Sequence, residues 1–170
     1  MDQTAPLILT LTFDERAFAF FEERRRRYFP SKSNFIPAHL TLFHALPGEH
    51  LPIIQHDIET WVPGQKPFIL DVTGLRSLGR GVAYMLESAE LAQLRRHLAL
   101  QWIDWLKPQD RQNHDPHVTV QNKVDPTQAR ALLEELSDRF KSFQVKAVGL
   151  ELWWYRGGPW EKVRRFHFGS

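Results

Sequence analysis

The chain has 170 residues, 42% apolar side chains and a formal net charge of +2, which are values typical of one folded domain. This small charge does not by itself indicate a nucleic-acid-binding protein, and no apolar run is long enough to span a bilayer. The sequence contains no cysteine, which excludes disulfides, thiolate metal sites and a catalytic thiol.

The hydrophobic pattern predicts strands and helices in alternation along the chain. In chain order the predicted elements are strand Leu7–Phe13, helix Glu15–Tyr28, strand Ala38–Leu46, helix Ile53–Val62, strand Pro67–Gly79, strand Gly81–Glu87, helix Ala89–Leu106, strand His117–Val124, helix Asp125–Phe140, strand Phe143–Tyr155 and strand Trp160–Phe168. Because both hairpins and helical crossovers join the strands, we predict an α+β fold with mainly antiparallel sheets and flanking helices.

The order of elements contains a faint internal repeat. Each half of the sequence has a helix, a polar loop with proline, a strand with a His-x-Thr string, a second helix and then a strand or hairpin. The two strings begin at His39 and His117, which lie 78 positions apart. We therefore predict that residues 1–170 form a single domain of two similar lobes related by a pseudo-two-fold axis.

The two strings HLTL and HVTV carry the candidate chemistry. Because side chains alternate between the two faces of a strand, His39, Thr41 and Phe43 are predicted to share one face. On the second strand, His117 and Thr119 are predicted to share a face in the same way. Each strand would then bury an aliphatic face and present an imidazole and a hydroxyl on the other.

Two imidazoles and two hydroxyls around one cavity suit the cleavage or transfer of a phosphodiester. One neutral imidazole takes a proton from the attacking oxygen, while a second, protonated imidazole gives a proton to the leaving oxygen. The threonine hydroxyls hold the nonbridging oxygens, and no metal or other cofactor is required. The alternative is that both are ordinary strand histidines, each bonded to a neighbour.

At these residues the sequence resembles the two-histidine phosphoesterases, and most closely their bacterial branch of 2′-5′ RNA ligases and RNA 2′,3′-cyclic phosphodiesterases. The resemblance implies a bilobal α+β fold with a central groove between the lobes. It implies that His39 and His117 are the general acid and base and that Thr41 and Thr119 bind the phosphate. It also implies that the partners are RNA termini or nucleotides with a 2′,3′-cyclic phosphate or a 2′-5′ linkage.

Four further residues are candidates for binding the substrate, besides Phe43 beside the first string. Arg80 and Tyr84 lie in a glycine-bounded hairpin that borders the groove in the resembling family, where they would meet a phosphate and stack on a base. Tyr155 and Arg156 lie at a strand end and would form a base-stacking edge. The structural alternatives are turn arginines and packed aromatic rings.

A metal site at His44 and His114 is a weaker hypothesis. His44 is predicted to point away from His39, and tetrahedral zinc needs three or four convergent ligands. An acidic residue, Asp2, stands where a signal peptide would carry positive charge. We therefore predict a cytoplasmic monomer without metal or membrane contact. The leading hypothesis is an enzyme, and the alternative is a non-catalytic RNA- or nucleotide-binding module that uses the same groove.

Overall fold

The computed structural model describes residues 5–170, so Asp2, which entered the prediction of location, lies outside the described residues. The strands of this part are β1 (Leu7–Phe13), β2 (Leu40–Leu46), β3 (Phe68–Ser77), β4 (Val82–Glu87), β5 (His117–Gln121), β6 (Phe143–Trp154) and β7 (Glu161–His167). The α-helices of this part are α1 (Glu15–Tyr28), α2 (Leu51–Trp61), α3 (Ala89–Gln101), α4 (Pro108–Arg111) and α5 (Pro126–Arg139). The predicted α+β class is confirmed.

The strands of residues 5–170 join in one sheet with the order β2-β1-β6-β3-β4-β5, and β7 also pairs with β6. Every one of these pairs is antiparallel. The long strand β6 divides the sheet, because its first residues pair with β3 and its last residues pair with β7. We call β2-β1-β6-β7 the β2 half-sheet and β6-β3-β4-β5 the β5 half-sheet.

The strands that begin with the two histidine strings are the outermost strands of this order. Although β2 and β5 are at opposite ends of the sheet, they contact one another, so the sheet curls until its two ends meet. The right-handed twist of strands favours such curling. The curl brings together two segments that are far apart in sequence.

The helices begin at residues that the sequence marks clearly. Asp14, Ser88 and Asp125 each accept a hydrogen bond from a backbone N–H in the first turn of α1, α3 and α5. On α1 the buried positions Ala17, Phe21 and Arg25 recur every four residues, and this stripe faces the sheet. Helix α1 packs against β5, and α5 packs against β3 and β4. No helix within residues 5–170 is long and apolar enough to cross a membrane.

Several element ends differ from the predictions for local reasons. The helix predicted to reach Leu106 ends at Gln101, because Trp102 leaves the helical conformation and its indole donates to the Asp57 carboxylate at 2.9 Å. Strand β5 ends at Gln121, before Val124, because the left-handed φ of 62° at Lys123 does not continue a strand. Helix α4 lies in a segment for which no element was predicted. The sequence did not indicate this helix, because four residues are too few to show a helical periodicity.

Candidate active site between the outer strands

The two histidines occupy equivalent places at the starts of the outer strands. His39 immediately precedes β2, and its Nδ1 lies 2.9 Å from the Pro37 carbonyl oxygen. His117 opens β5, and its Nδ1 lies 2.8 Å from the Asp115 carbonyl oxygen. A carbonyl oxygen only accepts hydrogen bonds, so each Nδ1 carries the proton. In both rings Nε2 is therefore the nitrogen left to exchange a proton with a substrate.

The backbone beside each threonine is held by a side chain from another element. The Arg25 guanidinium on α1 donates from Nη1 to the Thr119 carbonyl oxygen at 3.0 Å and from Nε to the Asn34 side chain at 2.9 Å. The His114 Nε2–H donates to the Thr41 carbonyl oxygen at 2.8 Å. These bonds satisfy carbonyl groups that an outer strand would leave unpaired. They fix the two His-x-Thr segments relative to each other.

The electrostatic surroundings keep His39 neutral at pH 7. Burial lowers the pKa of His39 from the ordinary 6.5 to about 4, and its bond to the Pro37 carbonyl opposes this only in part. Positive charge on Arg25, His117 and His44 lowers the pKa further. Strands β2 and β5, which begin directly after His39 and at His117, contact one another.

His44 takes part in a separate, structural arrangement around Asp110. The Asp110 carboxylate is 1% exposed and accepts bonds from the backbone N–H groups of His44 and Ala45 and from the His44 ring. Burial raises the pKa of Asp110, but these hydrogen bonds outweigh it and hold the pKa below its usual value. Within residues 5–170, no three His, Cys, Asp or Glu side chains lie close enough together to hold a metal ion.

The predicted face of Phe43 is wrong. Its register with β1 shifts between the pairs Leu9–Phe43 and Thr10–Thr41, so alternation breaks within β2. As a result Phe43 is 0% exposed and packs edge-on against Trp102, with ring centroids 5.3 Å apart. Phe43 belongs to the core beneath the site and does not meet a ligand there.

Tyr84 also lies in the core. It pairs with Val118 across β4 and β5, whereas the neighbours that pair with His117 and Thr119 are Met85 and Ala83. Its side chain therefore faces away from the histidine, is 4% exposed and packs among the phenylalanines of α1 and β6. Its ring is not available for stacking on a base.

The other three predicted contacts are at the surface. Arg80 is exposed in the turn between β3 and β4, and Tyr155 is exposed after β6. Arg156 lies over the Trp154 ring at 4.8 Å and pairs with Glu161. Roles for Arg80, Tyr155 and Arg156 in substrate binding stay predictions.

Two further residues of this region were not among the candidates predicted from the sequence. The Trp160 ring, in the turn between β6 and β7, lies 4.6 Å from the His39 ring. An aromatic residue directly after Gly-Gly-Pro was the available signal. Arg76 on β3 pairs with Ala83, which pairs with Thr119, so it shares the face of Thr119. No sequence pattern marks Arg76, because its position depends on strand register.

The fold and the site together define an α+β protein whose two outer strands carry a duplicated His-x-Thr arrangement. The family model of the 2′-5′ RNA ligase superfamily matches residues 13–159. The chain therefore belongs to the 2′-5′ RNA ligase superfamily, and the resemblance inferred from the paired strings is confirmed.

Two solved structures illustrate the shared fold. TT0787 of Thermus thermophilus is 17% identical and aligns over 97% of this chain and 99% of its own, with a TM-score of 0.68. E. coli LigT complexed with 3′-AMP is 16% identical over 98% of this chain and 99% of its own, with a TM-score of 0.61. No curated protein matches the sequence.

The two depressed histidine pKa values predict a pH-dependent stability. Burial also lowers the pKa of His114 to about 4, against its bond to Thr41. Between about pH 6.5 and 4 the unfolded chain binds protons at His39 and His114 that the folded chain does not. We therefore expect the free energy of unfolding, measured by urea denaturation, to keep its full value above pH 6.5. It should fall as the pH decreases toward 4.

A His114→Gln variant separates this effect from the titration of carboxylates. Glutamine keeps an N–H donor for the Thr41 carbonyl but does not titrate. The variant should lose less stability than the wild type between pH 6.5 and 4. Identical pH dependence in the two proteins would contradict the assignment to His114.

Proposed function

We propose that this protein is a metal-independent phosphoesterase that hydrolyses, or reversibly forms, 2′,3′-cyclic phosphate or 2′-5′ linkages of RNA or nucleotides. The observation that carries the proposal is the paired arrangement of His39 and His117. Each ring is anchored through Nδ1 to a carbonyl two residues upstream, and each keeps Nε2 free. Membership in the superfamily supports phosphoesterase or ligase chemistry in general.

The pKa of His39 favours one assignment of the two roles. With a pKa of about 4, His39 is neutral near pH 7 and acts as the general base. In hydrolysis of a cyclic phosphate, water attacks phosphorus while His39 Nε2 takes its proton. The bond from phosphorus to one ribose oxygen breaks, and His117 gives that oxygen a proton. The product is a phosphomonoester, and the two histidines exchange their protonation states.

The threonines and the nearby arginine are proposed to stabilise the transition state. On each strand the hydroxyl lies two residues beyond the imidazole, or roughly 6.5–7 Å along the chain. Thr41 and Thr119 then donate to the nonbridging oxygens as negative charge builds up there. Arg25 adds a positive charge close to His39. We also propose that the protein is a monomer and that it acts on RNA termini in the cytoplasm.

Incubation with the four 2′,3′-cyclic nucleoside monophosphates in the presence of EDTA tests the activity. We expect chromatography to show conversion of the cyclic nucleotides to phosphomonoesters. The rate of conversion should be the same with and without EDTA. Binding of the cyclic nucleotides without conversion would instead favour the non-catalytic binding module. Neither binding nor conversion, also with 2′-5′-linked dinucleotides, would contradict the proposed substrate class.

A further inference from the structure

A second compartment opens beside His39 on the β2 half-sheet. It is a cavity of about 410 Å³ whose lining includes Thr10, Thr12, His39, Glu151, Trp153 and Arg165. Its lining residues come from β1, α1, β6 and β7 and from the segment before β2. The cavity therefore extends away from the proposed phosphate position along one half of the sheet.

The strand register gives the distance from the proposed phosphate position at Thr41 to Glu151. Thr41 pairs with Thr10, and Thr10 pairs with Glu151, so all three side chains lie on the same face. Two strand spacings separate Thr41 from Glu151, which is roughly 10 Å. A nucleotide whose phosphate lies at Thr41 extends its base over a similar distance.

Glu151 is a buried carboxylate that lines this cavity. It is 5% exposed, and its two oxygens meet the half-exposed Arg165 side chain at 3.3 and 3.4 Å. Two carboxylate oxygens together accept about four hydrogen bonds. Burying a carboxylate is costly unless N–H or O–H groups satisfy it, so this site favours a ligand that brings donors.

The cavity wall beside Glu151 is a rigid aromatic surface. The Trp153 indole donates to the Thr10 hydroxyl at 3.0 Å, and the Trp160 ring packs against Trp153 with centroids 5.9 Å apart. These contacts fix the orientation of the Trp153 ring. A flat, partly apolar ring with N–H groups on one edge fits such a wall and such a carboxylate.

We propose that this cavity binds the nucleobase attached to the scissile phosphate and that Glu151 selects guanine. This inference rests on the proposed function. Guanine presents two adjacent donors, N1–H and the exocyclic amino group, which match the two oxygens of one carboxylate. Adenine and cytosine place an acceptor beside their amino group, and uracil places acceptors on both sides of its N–H. These acceptors would face the carboxylate and repel it.

The proposal is tested by comparing kcat/KM for the four 2′,3′-cyclic nucleotides in the wild type, Glu151→Gln and Glu134→Gln proteins. The wild type is expected to prefer the guanosine substrate by about 10- to 100-fold, as for a good bidentate contact. Glu151→Gln should lose this preference, with less than about threefold change for the other three bases. Glu134 is exposed on α5, and its variant should behave as the wild type.

Equal kcat/KM for all four bases in the wild type would overturn the assignment. An equal loss for all four bases in Glu151→Gln would assign Glu151 a structural role and would overturn it as well. If no substrate turns over, the proposed catalysis fails, and titration with 3′-GMP and 3′-AMP still decides the base preference. Tighter binding of 3′-GMP that disappears in Glu151→Gln supports the proposal, and equal affinities contradict it.

Discussion

Replacing His117 with alanine is expected to lower kcat/KM for a 2′,3′-cyclic nucleotide by about 10²- to 10⁴-fold. This range is typical for the removal of a general acid or base. The folded structure should persist, because the lost interaction is one hydrogen bond to the Asp115 carbonyl, worth roughly 1 kcal/mol. Steady-state kinetics and a urea denaturation curve on the same sample measure both effects.

His39→Ala should produce a loss of similar size, and the double variant should lose less than the product of the two single losses. This is expected because the two groups act in one proton-transfer sequence. His56→Ala is the matched control, since His56 is exposed on α2, a helix that supplies no residue of the candidate site. Full activity in His117→Ala, or an equal loss in His56→Ala, would contradict the assignment.

The pH dependence of kcat/KM gives a second test of the same residues. A general base must be neutral, so activity should decrease as the pH falls through the pKa of His39, which is about 4. This decrease should be absent from the residual activity of His39→Ala, because the variant has no imidazole at this position to titrate.

Replacing Asp110 with alanine is expected to reduce the free energy of unfolding by about 3–5 kcal/mol. The change leaves the backbone N–H groups of His44 and Ala45 without their acceptor. Each buried donor left without an acceptor costs about 1–3 kcal/mol. The change also removes a negative charge that favours the charged form of the buried Arg95 side chain, which donates to the Leu42 carbonyl. Since total stabilities are about 5–15 kcal/mol, the loss is easily measured by urea denaturation.

Two variants show whether the carboxylate itself is responsible. Asp110→Asn keeps one oxygen acceptor but no charge, so its loss should lie between zero and that of Asp110→Ala. Asp104→Ala removes an exposed carboxylate from the neighbouring turn and should change stability by less than about 0.5 kcal/mol. Equal stabilities of Asp110→Ala and Asp104→Ala would contradict the role assigned to Asp110.

The arrangement around Asp110 also has a consequence for the proposed site. Asp110 and Arg95 hold the backbone of β2 at Leu42, His44 and Ala45, a few residues from Thr41. Catalytic groups need positions held within a fraction of an ångström. Asp110→Ala should therefore lower kcat as well as stability, although Asp110 does not touch the substrate.

Much of this protein was readable from local sequence patterns. Three of the predicted helices begin at Glu15, Ala89 and Asp125, and in the structure Asp14, Ser88 and Asp125 cap these helices. The strands and their antiparallel character followed from alternation and from short connections between apolar runs. The doubled His-x-Thr string identified the superfamily, because the two strings are informative only as a pair. Helix caps and strand alternation depend on residues a few positions apart, and the two strings can be compared directly in the sequence, so none of these features requires knowledge of the fold.

The tertiary structure alone decided which side chains surround the candidate site. A shift in register buries Phe43, and pairing of β4 with β5 turns Tyr84 toward the core. Arg25 is one of four consecutive arginines in the sequence, and only the packing of α1 against β5 places its guanidinium at the Thr119 carbonyl. Glu151 lies beside the site because β1 aligns it with Thr41. Local periodicity determines which residues form a strand, whereas the face and partners of each side chain depend on strands that are distant in sequence.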